Sequence, residues 1–280
     1  MKIYRRFHFL SFDIVLGALA SSCLAARLFG ATPGWAWWVT LACTVWLLYM
    51  GDHVLDAWKH RKKSKREMHL FIFRNRRILL YAMGIVALVD VLLIFNSLDK
   101  EFLKYAFVLA GAVLMFYAMR HLFRKNRLFF IPGEAFVLVL YLAGTWMGPL
   151  VAMEGPFETA HILIALIFGA VLLMNLGVIS LYDINLDSRL GIASLANSLG
   201  RKATKNLLIG SGAAVYLLSV LQFLIFGLDR YTEFASILTG MASILLLVLY
   251  LPSRFKKNDY YRWTADAVLY MGFLSLMINL

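Results

Sequence analysis

Apolar residues run along this chain in blocks of roughly twenty, each closed by a short polar or basic stretch, which is the spacing of helices that cross a hydrocarbon core about 30 Å thick. The blocks fall at 8–29, 35–57, 78–96, 102–123, 129–152, 161–183, 205–226, 232–252 and 263–280. Between them, Asn96 to Asp99, Glu154 to Pro156 and Gly227 to Asp229 break the apolar runs with turn and cap residues and read as tight outer connectors. The first block runs through Arg27 into Trp-rich sequence and is read as a retained helix, not a cleaved leader. The longest inner loops, 58–77 and 184–204, are too short to build a core of their own. The expectation is therefore an all-α membrane protein, one domain over 1–280, with nine transmembrane helices in one bundle around a central cavity open to the inner face.

Composition agrees with a lipid solvent, since 61% of the 280 residues are hydrophobic and 16% are charged, too little polar surface to cover a soluble domain of this size. The net charge of +12 raises the question of nucleic acid, but the placement of the bases answers it. With the N-terminus inside, 24 of the 28 Lys and Arg fall on inner segments, and only Arg27, Lys100, Lys104 and Arg230 lie near outer ends. That bias is the positive-inside rule, and basic inner loops beside anionic membrane lipid need no nucleic-acid partner. It predicts a cytoplasmic N-terminus, active loops on the cytoplasmic side and residence in the plasma (inner) membrane. Cys23 and Cys43 both sit in apolar blocks, so neither a disulfide framework nor a cysteine metal site is expected.

Against this background the acids are informative. Asp13, Asp52, Asp56, Asp90, Glu134, Asp183, Asp187 and Asp266 lie within or at the ends of the spans, where a carboxylate costs about 2.5–3.5 kcal/mol at a helix centre and so faces a wet interior. Two pairs, Asp52 with Asp56 and Asp183 with Asp187, share the spacing i, i+4 at the inner ends of the second and sixth blocks. That spacing puts both carboxylates on one helix face with Cβ atoms roughly 6 Å apart. Two carboxylates so placed repel unless a cation joins them, and Mg²⁺ suits them because it takes one or two carboxylates, several waters and phosphate oxygens. The bland alternative is pairing with nearby bases such as Lys59, His60, Arg61 or Arg189.

At these residues the chain resembles the UbiA superfamily of intramembrane prenyltransferases, which have nine helices, Asn-x-x-x-Asp-x-x-x-Asp on helix 2 and Asp-x-x-x-Asp on helix 6. The extended match is DINLDSRLGIASLANSLGRKAT, residues 183–204. The first motif, GDHVLDAWKHRK at 51–62, departs from the pattern: Leu48 stands where the family has Asn, or, in a register shifted by four, Asp52 takes the Asn position and His60 the second acid. The resemblance implies Mg²⁺-dependent transfer of an isoprenoid chain from a prenyl diphosphate to a lipophilic or membrane-proximal acceptor. It assigns Asp52, Asp56, Asp183 and Asp187 as metal and catalytic residues. Candidate bases for the diphosphate, of which only some can reach it, are Arg61, Arg66, Arg120, Arg189 and Lys202, and Tyr117 resembles a family tyrosine that precedes a basic residue, with His121 where Lys is expected.

Other polar residues keep two readings. Glu134 opens a helix as Pro-Gly-Glu, where an acid complements the helix dipole or, alternatively, binds acceptor or takes its proton. Asp266 follows Arg262 by four and reads as its ion-pair partner. His53 lies between the paired acids on another face. Trp35, Trp37 and Trp38 fit an interfacial aromatic belt. Two alternatives to a transferase remain: a terpene cyclase of the same superfamily, needing no acceptor, and a non-catalytic membrane protein of the same fold. The extended Asp-Gly and Ala-Arg pattern of CDP-alcohol phosphotransferases is absent.

Overall fold

The computed structural model describes residues 2–59, 67–122, 133–191 and 193–278. Among them no strand forms and nearly every residue is helical. The helices are α1 (Lys2–Phe9), α2 (Phe12–Leu28), α3 (Trp35–Lys59), α4 (Glu67–Ser97), α5 (Lys100–Leu122), α6 (Gly133–Val151) and α7 (Thr159–Leu190). They are followed by α8 (Leu195–Leu199), α9 (Arg201–Phe226), α10 (Arg230–Tyr250), α11 (Pro252–Phe255) and α12 (Tyr260–Val268), which runs on as a 3₁₀ segment, Leu269–Met277. Helix covers part of every apolar block, and six helices, α3, α4, α6, α7, α9 and α10, are by themselves long and apolar enough to cross a membrane. The chain is a multi-pass membrane protein.

Burial separates the centre of the bundle from its rim. Half of the α7 span is buried, against 11% of the α4 span, so α7 is surrounded by protein while α4 turns Ile78, Tyr81 and Ile85 outward, as expected of a lipid-facing helix. The main core gathers α2, α7, α10 and the C-terminal segment around Phe168, Phe234, Leu24 and Met241. A second core joins α2, α3 and α4 around Trp37, Met50 and Ile72.

Close helix contact depends on small residues, as is usual where lipid offers no hydrophobic drive to association. A Cβ on Gly272 would lie 2.4 Å from the Ala20 carbonyl oxygen, so the C-terminal segment reaches α2 only because glycine stands there. Gly148 is likewise covered by the Trp37 indole, 2.1 Å from where a Cβ would be. Trp37 is therefore a core residue, only 3% exposed, and donates its indole N–H to Ser22 Oγ at 3.1 Å. Of the three tryptophans expected in the interfacial belt, Trp35 is the exposed one, at 66%. The belt reading fails for Trp37 because its helix face turns toward α2 and α6.

Three polar groups in the apolar region bind neighbouring elements. Asp90 on α4 accepts a hydrogen bond from Thr44 on α3 at 2.8 Å. Arg27, one of the few bases near the outer ends, bonds the carbonyls of Ser275 and Ile278 and so clamps the C-terminal segment to α2. Arg230 donates to the Tyr231 hydroxyl at 2.9 Å, which donates in turn to Glu158 at 2.7 Å.

Candidate functional site

Both aspartate pairs sit at the carboxyl ends of long helices, α3 and α7. Unpaired carbonyls make such ends partially negative, so a carboxylate there is destabilised unless a cation is close. α7 stops because Gly191 takes the left-handed conformation (φ 67°) and returns its N–H to the carbonyls of Asp187 and Ser188. This fixes Asp183 and Asp187 within the last two turns.

A partly open cavity of about 180 Å³ lies between α1, α2, α3, α4, α6, α7, α12 and the 3₁₀ segment. Its apolar wall comes from Ile14, Val137, Leu172, Leu176, Ile179 and Leu269. Its polar wall is concentrated in His8, Asp13, Tyr49, Asp52, His53, Asn175, Arg262 and Asp266. Tyr49, Asp52 and His53 follow the i, i+3, i+4 spacing of a single helix face. His53 thus shares the cavity face with Asp52, contrary to its expected placement on another face. Leu48, in the position of the family's Asn, is 41% exposed and is not part of the wall.

Residues from the two ends of the chain meet in this wall. His8 Nδ1 contacts the fully buried Asp13 carboxylate, whose other oxygen accepts the Ile14 N–H at 3.0 Å. Asp266, from α12, joins them, with one potential ligand atom from each of the three residues within 4.8 Å of the others. The Asn175 amide donates to the Ala265 carbonyl at 2.6 Å and holds α12 against α7.

Asp183 does not line this cavity. It borders a more open depression of about 380 Å³ together with Asn185, Arg189, Lys256, Asp259 and Tyr261. The Asp183 side chain is 7% exposed. Its Oδ1 accepts the Tyr261 hydroxyl at 2.6 Å and its Oδ2 bonds Arg262. Arg262 Nε also donates to the Tyr261 hydroxyl at 3.2 Å, and Tyr261 stacks on Tyr182 with ring centroids 4.5 Å apart. The expected pairing of Arg262 with Asp266 is replaced by this contact. Within α12, Arg262 and Asp266 both face the cavity, and the guanidinium reaches across to α7, where a buried carboxylate at a helix carboxyl end attracts it more strongly.

The remaining expected residues divide as follows. Arg61 and Arg66 lie outside the described residues, as do the side chains of Asp56, Tyr117 and Arg120. Arg189 lines the open depression, and Lys202 is exposed in the first turn of α9. Asp187 is partly buried one turn beyond Asp183. Glu134 accepts the Leu195 N–H at 2.9 Å, capping the short α8, and its other carboxylate oxygen is buried without a hydrogen-bond partner. Sequence reasoning missed His8, Tyr49, Asn175, Tyr261 and Arg262. A usable signal existed for Arg262, a lone base among the aromatic residues at the inner end of the last block.

The sequence matches no family model, and no curated protein matches it either. Among solved structures, the chain is similar to the apo structure of a UbiA homolog from Aeropyrum pernix K1, with a TM-score of 0.63 and 16% sequence identity over 94% of this chain and 97% of that one. The chain has the UbiA fold. At that identity the likeness is one of architecture, and it extends over nearly the whole length of both proteins. Within the UbiA fold, the cavity is lined from the first, second, fifth, sixth and last apolar blocks of this chain, and its acids come from the first, second and last.

Proposed function

We propose that this protein transfers an isoprenoid chain from an allylic diphosphate to a lipophilic or membrane-proximal acceptor, with Mg²⁺ held by Asp52 and Asp56 on α3 and by Asp183 and Asp187 on α7. The observation that carries the reading is the cavity of the UbiA-like bundle, lined by apolar side chains together with the carboxylates of Asp13, Asp52 and Asp266. All the donors are carboxylates, the hard oxygen ligands that Mg²⁺ prefers, and both pairs stand where helix dipoles call for a cation. Mg²⁺ when bound neutralises charge building on the leaving diphosphate.

The protein's own residues do the rest. Leu172, Leu176 and Ile179 hold the prenyl tail and exclude water from the reacting carbon. Tyr49 and Tyr141 present aromatic surface to the allylic cation. The C1–O bond breaks with its electron pair going to the diphosphate, the acceptor bonds to C1, and the proton released from the acceptor passes to a carboxylate of the wall, such as Asp266. In this reading the diphosphate side, the N-terminus and the basic loops face the cytoplasm, which the positive-inside bias supports, and the protein resides in the inner membrane.

The test is incubation of purified protein with geranyl, farnesyl or geranylgeranyl diphosphate, Mg²⁺ and a membrane lipid extract, followed by mass spectrometry. A prenylated acceptor that disappears in Asp52→Ala supports the reading. Turnover that persists without Mg²⁺, or a cyclised product formed without acceptor, defeats it.

A further inference from the structure

Asp183 already carries a cation of the protein's own. Both of its carboxylate oxygens are bonded, one to Tyr261 and one to Arg262. Arg262 stands between two spaces: with Asp266 it lines the cavity, while the acid its guanidinium grips borders the neighbouring depression. A divalent ion on Asp183 Oδ2 and a guanidinium on the same atom would be two cations competing for one carboxylate, itself only 7% exposed. One must leave. The guanidinium is the mobile one, at the end of a long side chain and 24% exposed, whereas Asp183 is fixed on α7. Released from Asp183, it stays in a cavity whose wall carries Asp13, Asp52 and Asp266, and its planar fork matches the paired oxygens of a diphosphate.

We infer that Arg262 is an exchangeable counter-ion: it neutralises Asp183 while the site is empty and turns onto the diphosphate when metal takes its place. The inference rests on the reading of Asp183 as a metal ligand given above. It explains how a carboxylate at the negative end of a helix stays charged and buried without metal. It also makes metal binding and diphosphate binding favour one another, because each is completed by the same movement of one side chain.

The experiment uses the full chain in detergent, with Mn²⁺ followed by electron paramagnetic resonance as the metal probe and inorganic pyrophosphate as the anion. Arg262→Gln should bind Mn²⁺ alone about tenfold more tightly than the parent, because a competing charge-assisted bond is gone, while the Mn²⁺-loaded variant should bind pyrophosphate about tenfold more weakly. Unchanged or weaker Mn²⁺ binding, or unchanged pyrophosphate binding, would reduce Arg262 to a clasp between α12 and α7 and overturn the exchange. Asp183→Asn separates the two ideas. If it leaves Mn²⁺ binding intact, the metal role of Asp183 fails and the exchange with it; if it abolishes Mn²⁺ binding while Arg262→Gln brings no gain, the exchange alone fails. Should Arg262→Gln not fold, Arg262→Lys keeps the charge on Asp183 and should hold Mn²⁺ affinity within about twofold while weakening pyrophosphate about tenfold. Equal pyrophosphate binding by that variant would also overturn it.

Discussion

Asp52 and Asp183 occupy the same place in two copies of the same spacing, yet the protein treats them in opposite ways. Asp52, near the end of α3, is exposed in the cavity wall. Asp183, near the end of α7, is buried and doubly hydrogen-bonded by a neighbouring helix. The difference follows from the helices that carry them. α3 packs beside α4 at the rim of the bundle, whereas α7 is its central post and meets α6, α9, α10 and α12. A carboxylate at the end of the central post must bring a cation with it to be buried at all, whereas one at the rim stays exposed and keeps its hydration.

The largest effect expected from this contrast is catalytic. Asp52→Ala and Asp183→Ala should each lower prenyl transfer by about 100- to 1,000-fold, the range for losing a group that stabilises the developing charge, read from product yield by mass spectrometry. A large loss for Asp52 with none for Asp183 would confine the chemistry to the rim helix. Stability should split the pair the other way. Arg262→Leu takes the guanidinium from a buried carboxylate and should cost about 3 kcal/mol, the low end for a broken buried pair because Tyr261 still bonds Asp183, whereas Asp52→Asn, at an exposed position, should change stability by less than about 0.5 kcal/mol. Denaturant unfolding in detergent, followed by circular dichroism, measures both. A smaller step, Tyr261→Phe, removes one hydrogen bond from Asp183 and should cost about 1 kcal/mol without closing the cavity. Smallest and most local is Glu134→Gln, which weakens the cap on Leu195 by a few tenths of a kcal/mol up to about 1. Hydrogen exchange should quicken in α8 while α3 is untouched.

Much of this architecture was legible in the sequence. The apolar block 35–57 predicts α3 (Trp35–Lys59), and 205–226 predicts α9 (Arg201–Phe226), each to within a few residues. Hydropathy and the short polar breaks are local signals, and a helix that must satisfy its own backbone in lipid is a local decision. The bias of basic residues toward one set of loops was equally readable. The partners of the acids were not. Arg262 lies 79 residues from Asp183, and its nearest acid by helical spacing, Asp266, was the sensible expectation. His8, Asp13 and Asp266 come together from opposite ends of the chain, and no periodicity links them. Trp37 looked like its neighbours Trp35 and Trp38 until Gly148 was found beneath it.

By itself, then, the sequence determined that this chain is a bundle of apolar helices with two aspartate pairs at helix ends. It did so because length, hydropathy and i, i+4 spacing are properties of neighbouring residues. Tertiary structure alone decided which acid faces the cavity and which is gripped by Arg262. That choice depends on how α12 lies across the end of α7, a contact made possible by small residues such as Gly272 that let the C-terminal segment settle against α2. Whether a carboxylate at a helix end stays exposed or is buried as half of an ion pair is set by the charge another helix brings within reach of it.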